Sequence, residues 1–415
     1  MPDLTPFCAL RYSRSAGDLS FLLAPPYDVI DPTHAHELRT RSDHNCVRLI
    51  LPEGSIEERY VAAAETLNSW TVDGVLGVDP EPSVYLYRQR FEADGGPSER
   101  LAVFAALRLT SFEQGDVLPH ERTHTGPKKD RLALTLATRT QLSPVFMVAR
   151  DGDGRLHNLE RELSATPPDV EAATPDGIRH SMWIASGETG DALLSAAGSH
   201  PLLIADGHHR YETALVAAET LGDNVKAAYL LVCVVSQQDP GLVVRPTHRI
   251  LSQSPGGPDS SLDWLERLAA SFDLEDLGFL TPEEAERRVA AASPGSFVVA
   301  PAGAQRKWLA AARPEALMGF GVASERARMA PVVFDELVLG ALFELDADEA
   351  SHDGLLSYSR SPDVCRDLQT GGCGFILPPV SLEDVWATAA LGGRLPPKST
   401  YFEPKMPSGL LFRPL

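Results

Sequence analysis

A disulfide framework, a membrane span and an excess of positive charge are all missing from this sequence, and each gap removes a class of function. The five cysteines, Cys8, Cys46, Cys233, Cys365 and Cys373, are odd in number, scattered and without a CxxC pair. Reduced, structural thiols are therefore expected. No apolar run reaches the roughly 20 residues that cross a bilayer, and the stretch MPDLTPFCALRYSRS carries charges where a secretory leader would be apolar. A cytoplasmic protein with no membrane partner is the expectation. Basic residues number 37 against 57 acidic ones, a net charge of -20. Such a field repels a polyanion, so nucleic acid is not an expected partner.

What is present is enough apolar material, 43% of 415 residues, to bury two ordinary cores. Residues 1–250 and 251–415 are the expected domains, with LSQSPGGPDS at 251–260 as the linker because Ser, Gly and Pro dominate it. The final segment is a candidate to return to the active site. Helices are predicted over 33–42, from SIEERYVAAAETLNSWTVDG to near Gly74, over PKKDRLALTLATRTQL with Thr125 as cap, and at 261–272, 282–292 and 333–344. Strand-like runs flank the turn signal Asp94-Gly95-Gly96-Pro97, and SPVFMVA and NVKAAYLLVCVVSQ read as buried strands. Residues 151–178, rich in Asp, Gly and Pro, read as a hairpin or surface excursion without chemistry. The fold class is α+β, with mixed, largely antiparallel sheets and flanking helices.

The densest chemistry lies in LLIADGHHRYETALVAAETLG, residues 202–222. An apolar strand leads through Asp206-Gly207 into a helix, which places His208, His209 and Arg210 at a helix N-terminus. Unpaired backbone N–H groups and the positive end of the helix dipole favour an anion such as phosphate there. Gly207 lets the backbone approach, Arg210 offers a forked contact, and Asp206 suits Mg²⁺ or a substrate hydroxyl. His208 and His209 suit phosphate contact or proton transfer, with His209 the catalytic candidate. The plainer alternative makes Asp206 a helix cap and the histidines turn residues.

The block ADGHHRYETA resembles the signature of the family known as domain of unknown function 1015. PFCALRY, APPYDVID, LPHERTHTGPKKDRLALTLAT, SPVF, PTHRIL and LPPKSTYFEPKMPSGLLF resemble its other blocks, in order. The Gly-x-His-Arg core is also similar, more distantly, to the phosphate-binding turn of the ParB and sulfiredoxin superfamily and its free-serine kinase branch. That resemblance implies a ParB/sulfiredoxin-like nucleotide-binding core, ATP or ADP with Mg²⁺, and phosphoryl transfer to a small hydroxylated metabolite such as serine. It also implies an upstream glutamate as catalytic base, for which Glu121 is the candidate. Sulfiredoxin chemistry is not implied, because His208 stands where those proteins carry cysteine.

Other segments offer rivals and auxiliaries. HERTH at 120–124 matches the zinc pattern H-E-x-x-H, a minor alternative in which His120, Glu121 and His124 serve a hydrolase. Pro119 before it and Gly126-Pro127 after it deny the helix that the pattern needs. A catalytic loop is preferred, with Glu121 as base, His120 and Arg131 near substrate, and Lys128 or Lys129 balancing phosphate charge; a polar loop capping the next helix is the bland reading. Gly392 to Ser399 has P-loop spacing, but Pro397 replaces the second glycine and cannot donate an N–H. Lys398 and Lys405 remain candidate phosphate ligands or simply solvated lysines. Asp28 in APPYDVID is either a pocket residue or a capping aspartate, and His248 and Arg249 are equally ambiguous. The competing function is a nucleotide-binding switch without metabolite kinase activity.

Overall fold

The computed structural model describes all residues except 57, 94, 123–124, 254–260, 320–325, 367 and 369–370. The expected linker and the Asp94 turn position therefore fall partly or wholly outside the described residues, as does His124. Two compact units emerge: Met1–Pro119, Thr123–Val243 and Pro404–Leu415 form the first, and His120–Arg122 with Val244–Glu403 the second.

The first unit is built on nine described strands: β1 (Leu4–Thr5), β2 (Val84–Ala93), β3 (Gly96–Arg108), β4 (Val117–Leu118), β5 (Val145–Ala149), β6 (Val170–Ala173), β7 (Arg179–Ala185), β8 (Leu202–Asp206) and β9 (Tyr229–Ser236). Their order is β4-β8-β5-β9-β3-β2-β7-β6, with β1 also beside β3. β8 runs parallel to β4 and β9 parallel to β5, while the other neighbours are antiparallel. The sheet is thus mixed and largely antiparallel. In β3 every residue from Leu101 to Leu107 is buried, because side chains alternate between two covered faces. One face joins Val103, Met147 and Val234 to helical side chains such as Leu156 and Leu193.

The helices of this unit include α1 (Pro32–Arg41), α2 (Glu58–Val72), α3 (Thr125–Thr138), α4 (Arg155–Ser164), α5 (Gly187–Ala197) and α6 (His208–Leu221). Asp31 caps α1 by accepting from the His34 amide at 2.9 Å, and Pro32 opens the helix. α3 already includes Thr125 rather than starting after it. A larger departure concerns 151–178. That stretch contains α4, whose Leu156 and Glu160 are fully buried, so it is part of the core and not a surface excursion. Leu156, Leu159 and Leu163 supply a helical apolar stripe that the flanking Gly and Pro residues obscure.

The second unit carries a six-stranded antiparallel sheet among its described residues: β10 (His248–Leu251), β11 (Phe272–Gly278), β12 (Phe297–Pro301), β13 (Lys307–Ala312), β14 (Leu356–Ser359) and β15 (Cys373–Ile376). Phe297, Phe334 and Phe375 meet edge-on in its core, with Trp264 against Phe375. Ala330–Leu342 is helical, and its last nine residues, Phe334–Leu342, form a π-helix.

Candidate functional site

β8 delivers the site in the first unit. Its pairing with β5 shifts register between Ile204 and Asp206, an irregularity that ends the ladder and re-aims the Asp206 side chain. Gly207 then takes φ 100° and ψ 28° as N-cap of α6, with no side-chain cap. Asp206 is therefore not the helix cap. Glycine is required at 207 for two reasons: the positive φ, and a Cβ there would lie 2.9 Å from Arg210 Nε.

The Asp206 carboxylate is held from two sides. Arg210 Nη2, one helical turn on, donates to Oδ2, and Lys405 Nζ donates to Oδ1. Arg210 Nη1 also donates to the Pro144 carbonyl. The backbone around Lys405 is fixed by the sheet: Gln89 Nε2 donates to the Lys405 carbonyl at 3.1 Å, and Arg100 donates to the Pro404 carbonyl. Burial would raise the Asp206 carboxyl, but the charges of Lys405 and Arg210 outweigh it and hold the group well below the usual carboxylate range. His208 is buried and His209 half-buried in the first turn of α6.

Arg210 also lines a cavity of about 60 Å³ with Tyr27, Arg131, Ser143 and Thr213. Arg131 lies 4.1 Å from the Tyr27 ring centre and donates to the Ile50 carbonyl at 2.7 Å. The buried Thr213 hydroxyl has no hydrogen-bond partner. Burial raises the Tyr27 hydroxyl, opposed by the charges of Arg210 and Arg131. Asp28 is exposed on the same short turn as Tyr27, Lys128 pairs with Glu212 of α6, and Lys129 is exposed.

The remaining sequence candidates lie in the second unit. Glu121 makes a parallel β-bridge with Leu395, and its Oε1 accepts from the Thr400 amide and hydroxyl, both at 3.2 Å. His120 Nε2 is 2.8 Å from the same hydroxyl. An extended residue at 121 removes the helix on which H-E-x-x-H depends, so the zinc hydrolase alternative loses its premise. Lys398 is exposed, with φ 57°, and its carbonyl accepts from buried Arg249 at 3.1 Å. Arg249 in turn lies 4.8 Å from the Tyr358 ring centre. His248 is buried and accepts from the Leu377 amide through Nδ1 at 3.2 Å. Burial lifts the Asp335 carboxyl to about 7, although Arg249 and Arg122 pull it down.

Comparison with known families finds that residues 4–334 match the model described as "Protein of unknown function (DUF1015)". The chain belongs to this family. No curated protein matches. Among solved structures, a free serine kinase in complex with AMP is 16% identical, covers 72% of this chain and 86% of its own, and superposes with a TM-score of 0.31. A mutant free serine kinase in complex with ADP gives 15%, 72%, 87% and 0.36 in the same terms. SbnI with C-terminal truncation from Staphylococcus aureus gives 12%, 70%, 82% and 0.35.

Within this family member, Tyr27, Thr213, Asp335 and Tyr358 escaped sequence reasoning. Tyr27 stands beside Asp28 in APPYDVID, so the block is a usable signal for the segment, and it is Tyr27 that lines the cavity. Thr213 follows Arg210 by three residues on α6, a spacing that puts both on neighbouring positions of one face. Asp335 and Tyr358 sit in segments without motif character.

Proposed function

We propose that the protein binds the phosphate groups of ATP or ADP at the β8–α6 junction and transfers a phosphoryl group to the hydroxyl of a small metabolite, serine being the first candidate. The observation that carries the anion site is the trio of Asp206, Lys405 and Arg210 at the uncapped start of α6. Two cations share one carboxylate, which leaves the trio with one positive charge next to the positive end of a helix dipole. In a chain of net charge -20 this is a local reversal of sign. Arg131 and the partnerless Thr213 hydroxyl add a charge and a hydrogen-bonding group along the cavity that Arg210 lines. At about 60 Å³ that cavity suits waters or part of a phosphoryl group and not a nucleoside.

Asp206 is also the proposed contact for Mg²⁺. Both of its oxygens already face cations, so a resident ion is disfavoured and the metal fits only as a companion of the nucleotide phosphates. Gly207, His208 and His209 are assigned to the phosphates through their position on the turn, His209 with a role in proton transfer. Glu121 is assigned as the proton acceptor on its chemistry and on the sequence resemblance to free-serine kinases, which also selects serine. Calorimetric titration with ATP and ADP, with and without Mg²⁺, tests the reading. Failure of the folded protein to bind either nucleotide sinks it.

A further inference from the structure

α4 presents His157 and Glu160 on one face, three residues apart. His157 Nδ1 lies 4.0 Å from Glu160 Oε2 and 3.8 Å from Asp239 Oδ2, and one donor atom from each of the three residues lies within 4.8 Å of the others. Glu160 is fully buried, with neither carboxylate oxygen hydrogen-bonded, and the buried Nδ1 of His157 also lacks a partner. Two side chains without hydrogen-bond partners, His157 and Glu160, and the Asp239 carboxylate therefore come together in the core of the first unit.

The surroundings hold these groups in place. Asp151 accepts from the amides of Leu156 and His157, both at 3.0 Å, and from the Ser236 hydroxyl at 2.7 Å, which ties the start of α4 to the end of β9. Asp239 accepts from the Leu101 and Gly241 amides, both at 2.8 Å, and this orients its carboxylate while leaving lone pairs unused. A Cβ at Gly241 would come within 2.1 Å of the Glu99 carbonyl, so the turn that carries Asp239 is packed hard against β3. None of these bonds satisfies Glu160.

We propose that His157, Glu160 and Asp239 form a binding site for a divalent transition-metal ion, with zinc as its best-fitting occupant, that links α4 to the turn after β9. One imidazole and two carboxylates are a borderline donor set suited to zinc, whereas an all-oxygen set would suit magnesium or calcium. Two ligand atoms on one tetrahedral zinc stand about 3.4 Å apart given the usual bond lengths. The observed 3.8 and 4.0 Å separations need only a small contraction. A dication also balances the two carboxylates, the charge that this buried cluster lacks. This site is independent of the nucleotide reading and of the HERTH segment.

The test uses the full chain, stripped with a chelator and titrated calorimetrically with Zn²⁺, and separately with Mg²⁺. One zinc per chain is expected, with magnesium at least a hundredfold weaker and a zinc-dependent rise in melting temperature. H157A and E160Q should each weaken zinc at least tenfold. E160Q replaces a buried acid with a neutral side chain of similar shape, so a melt without metal verifies that the variant is folded. Zinc affinity that either substitution leaves intact, magnesium binding as tight as zinc, or no binding by folded wild-type protein overturns the site.

Discussion

Lys405 and Asp206, 199 residues apart in sequence, form an ion pair at the start of α6. The final twelve residues, Pro404–Leu415, thus belong to the first unit not only by packing but through the charge balance of its candidate site. Arg210 completes the trio from the opposite carboxylate oxygen. Removing Asp206 leaves two cations without their shared carboxylate in a mostly buried setting, whereas removing Lys405 or Arg210 leaves one balanced ion pair.

Replacing Asp206 with Asn should therefore destabilise the protein by about 3 kcal/mol, and K405M combined with it, which removes one of the two unbalanced cations, should recover part of the loss. The pH dependence follows from the depressed Asp206 carboxyl. Its folded value lies below the unfolded value of about 3.9, so its stabilisation is complete above that pH and is lost as pH falls toward the folded value. Urea unfolding at pH 7 and pH 3 checks both points. D206N should lack this part of the acid-induced loss.

At the turn between β8 and α6, the proposed phosphate site, Arg210→Ala should weaken ADP or ATP binding by about 1.5 to 3 kcal/mol, the loss of a charge-assisted contact. Because Arg210 also steadies Asp206, Gly207→Ala provides a second probe. Alanine at φ 100° is strained and its Cβ would press on Arg210, so affinity should fall although no charge is removed. Calorimetry on both variants decides whether the turn itself is the binding element. Unchanged affinity in both removes it from the site.

The turn and its helix are legible in sequence because strand, Asp-Gly, charged knot and helix formers follow each other without interruption from 202 to 222. Lys405 is visible only as a lysine inside a family-like block; its partner comes from tertiary packing, to which local pattern is blind. Glu160 is harder still. A glutamate among Arg155, His157 and Arg161 reads as a solvated face, and it is the packing of α4 on α5, β2 and β3 that makes it a buried one. Glu121 shows the converse, where the Pro119 and Gly126-Pro127 flanks rightly argue against a helix, yet nothing local points to Thr400 as its partner.

Asp335 should give the second unit a pH response of its own. Burial raises its folded value to about 7, above the unfolded value of about 3.9. The native state then holds a proton that the unfolded state has released, so stability falls as pH rises from about 4 to about 7 and levels off above. The full span of that effect is about 4 kcal/mol. Asp335→Asn should flatten the slope in chemical denaturation measured across that range, and a slope equal to wild type would show that Asp335 ionises normally.

The decisive prediction separates chemistry from binding. With Mg²⁺ and a nucleotide donor, the protein should phosphorylate a free hydroxyl-bearing metabolite, serine being tested first. A general base acts on the chemical step, so Glu121→Gln should cut turnover by about a hundredfold or more while nucleotide affinity changes little. Glutamine keeps the Oε1 acceptor that receives the Thr400 bonds, so this variant should stay folded. Asp206→Asn should behave differently, impairing turnover and Mg²⁺ dependence together, because it alters the group proposed to meet the metal beside the phosphates. Thermal melts establish that both variants are folded before their rates are compared. Wild-type protein that binds nucleotide, transfers phosphate to no hydroxylated metabolite and changes oligomeric state on binding would be a nucleotide-driven switch, in which Asp206, Lys405 and Arg210 exchange partners when phosphate arrives and no proton acceptor is needed.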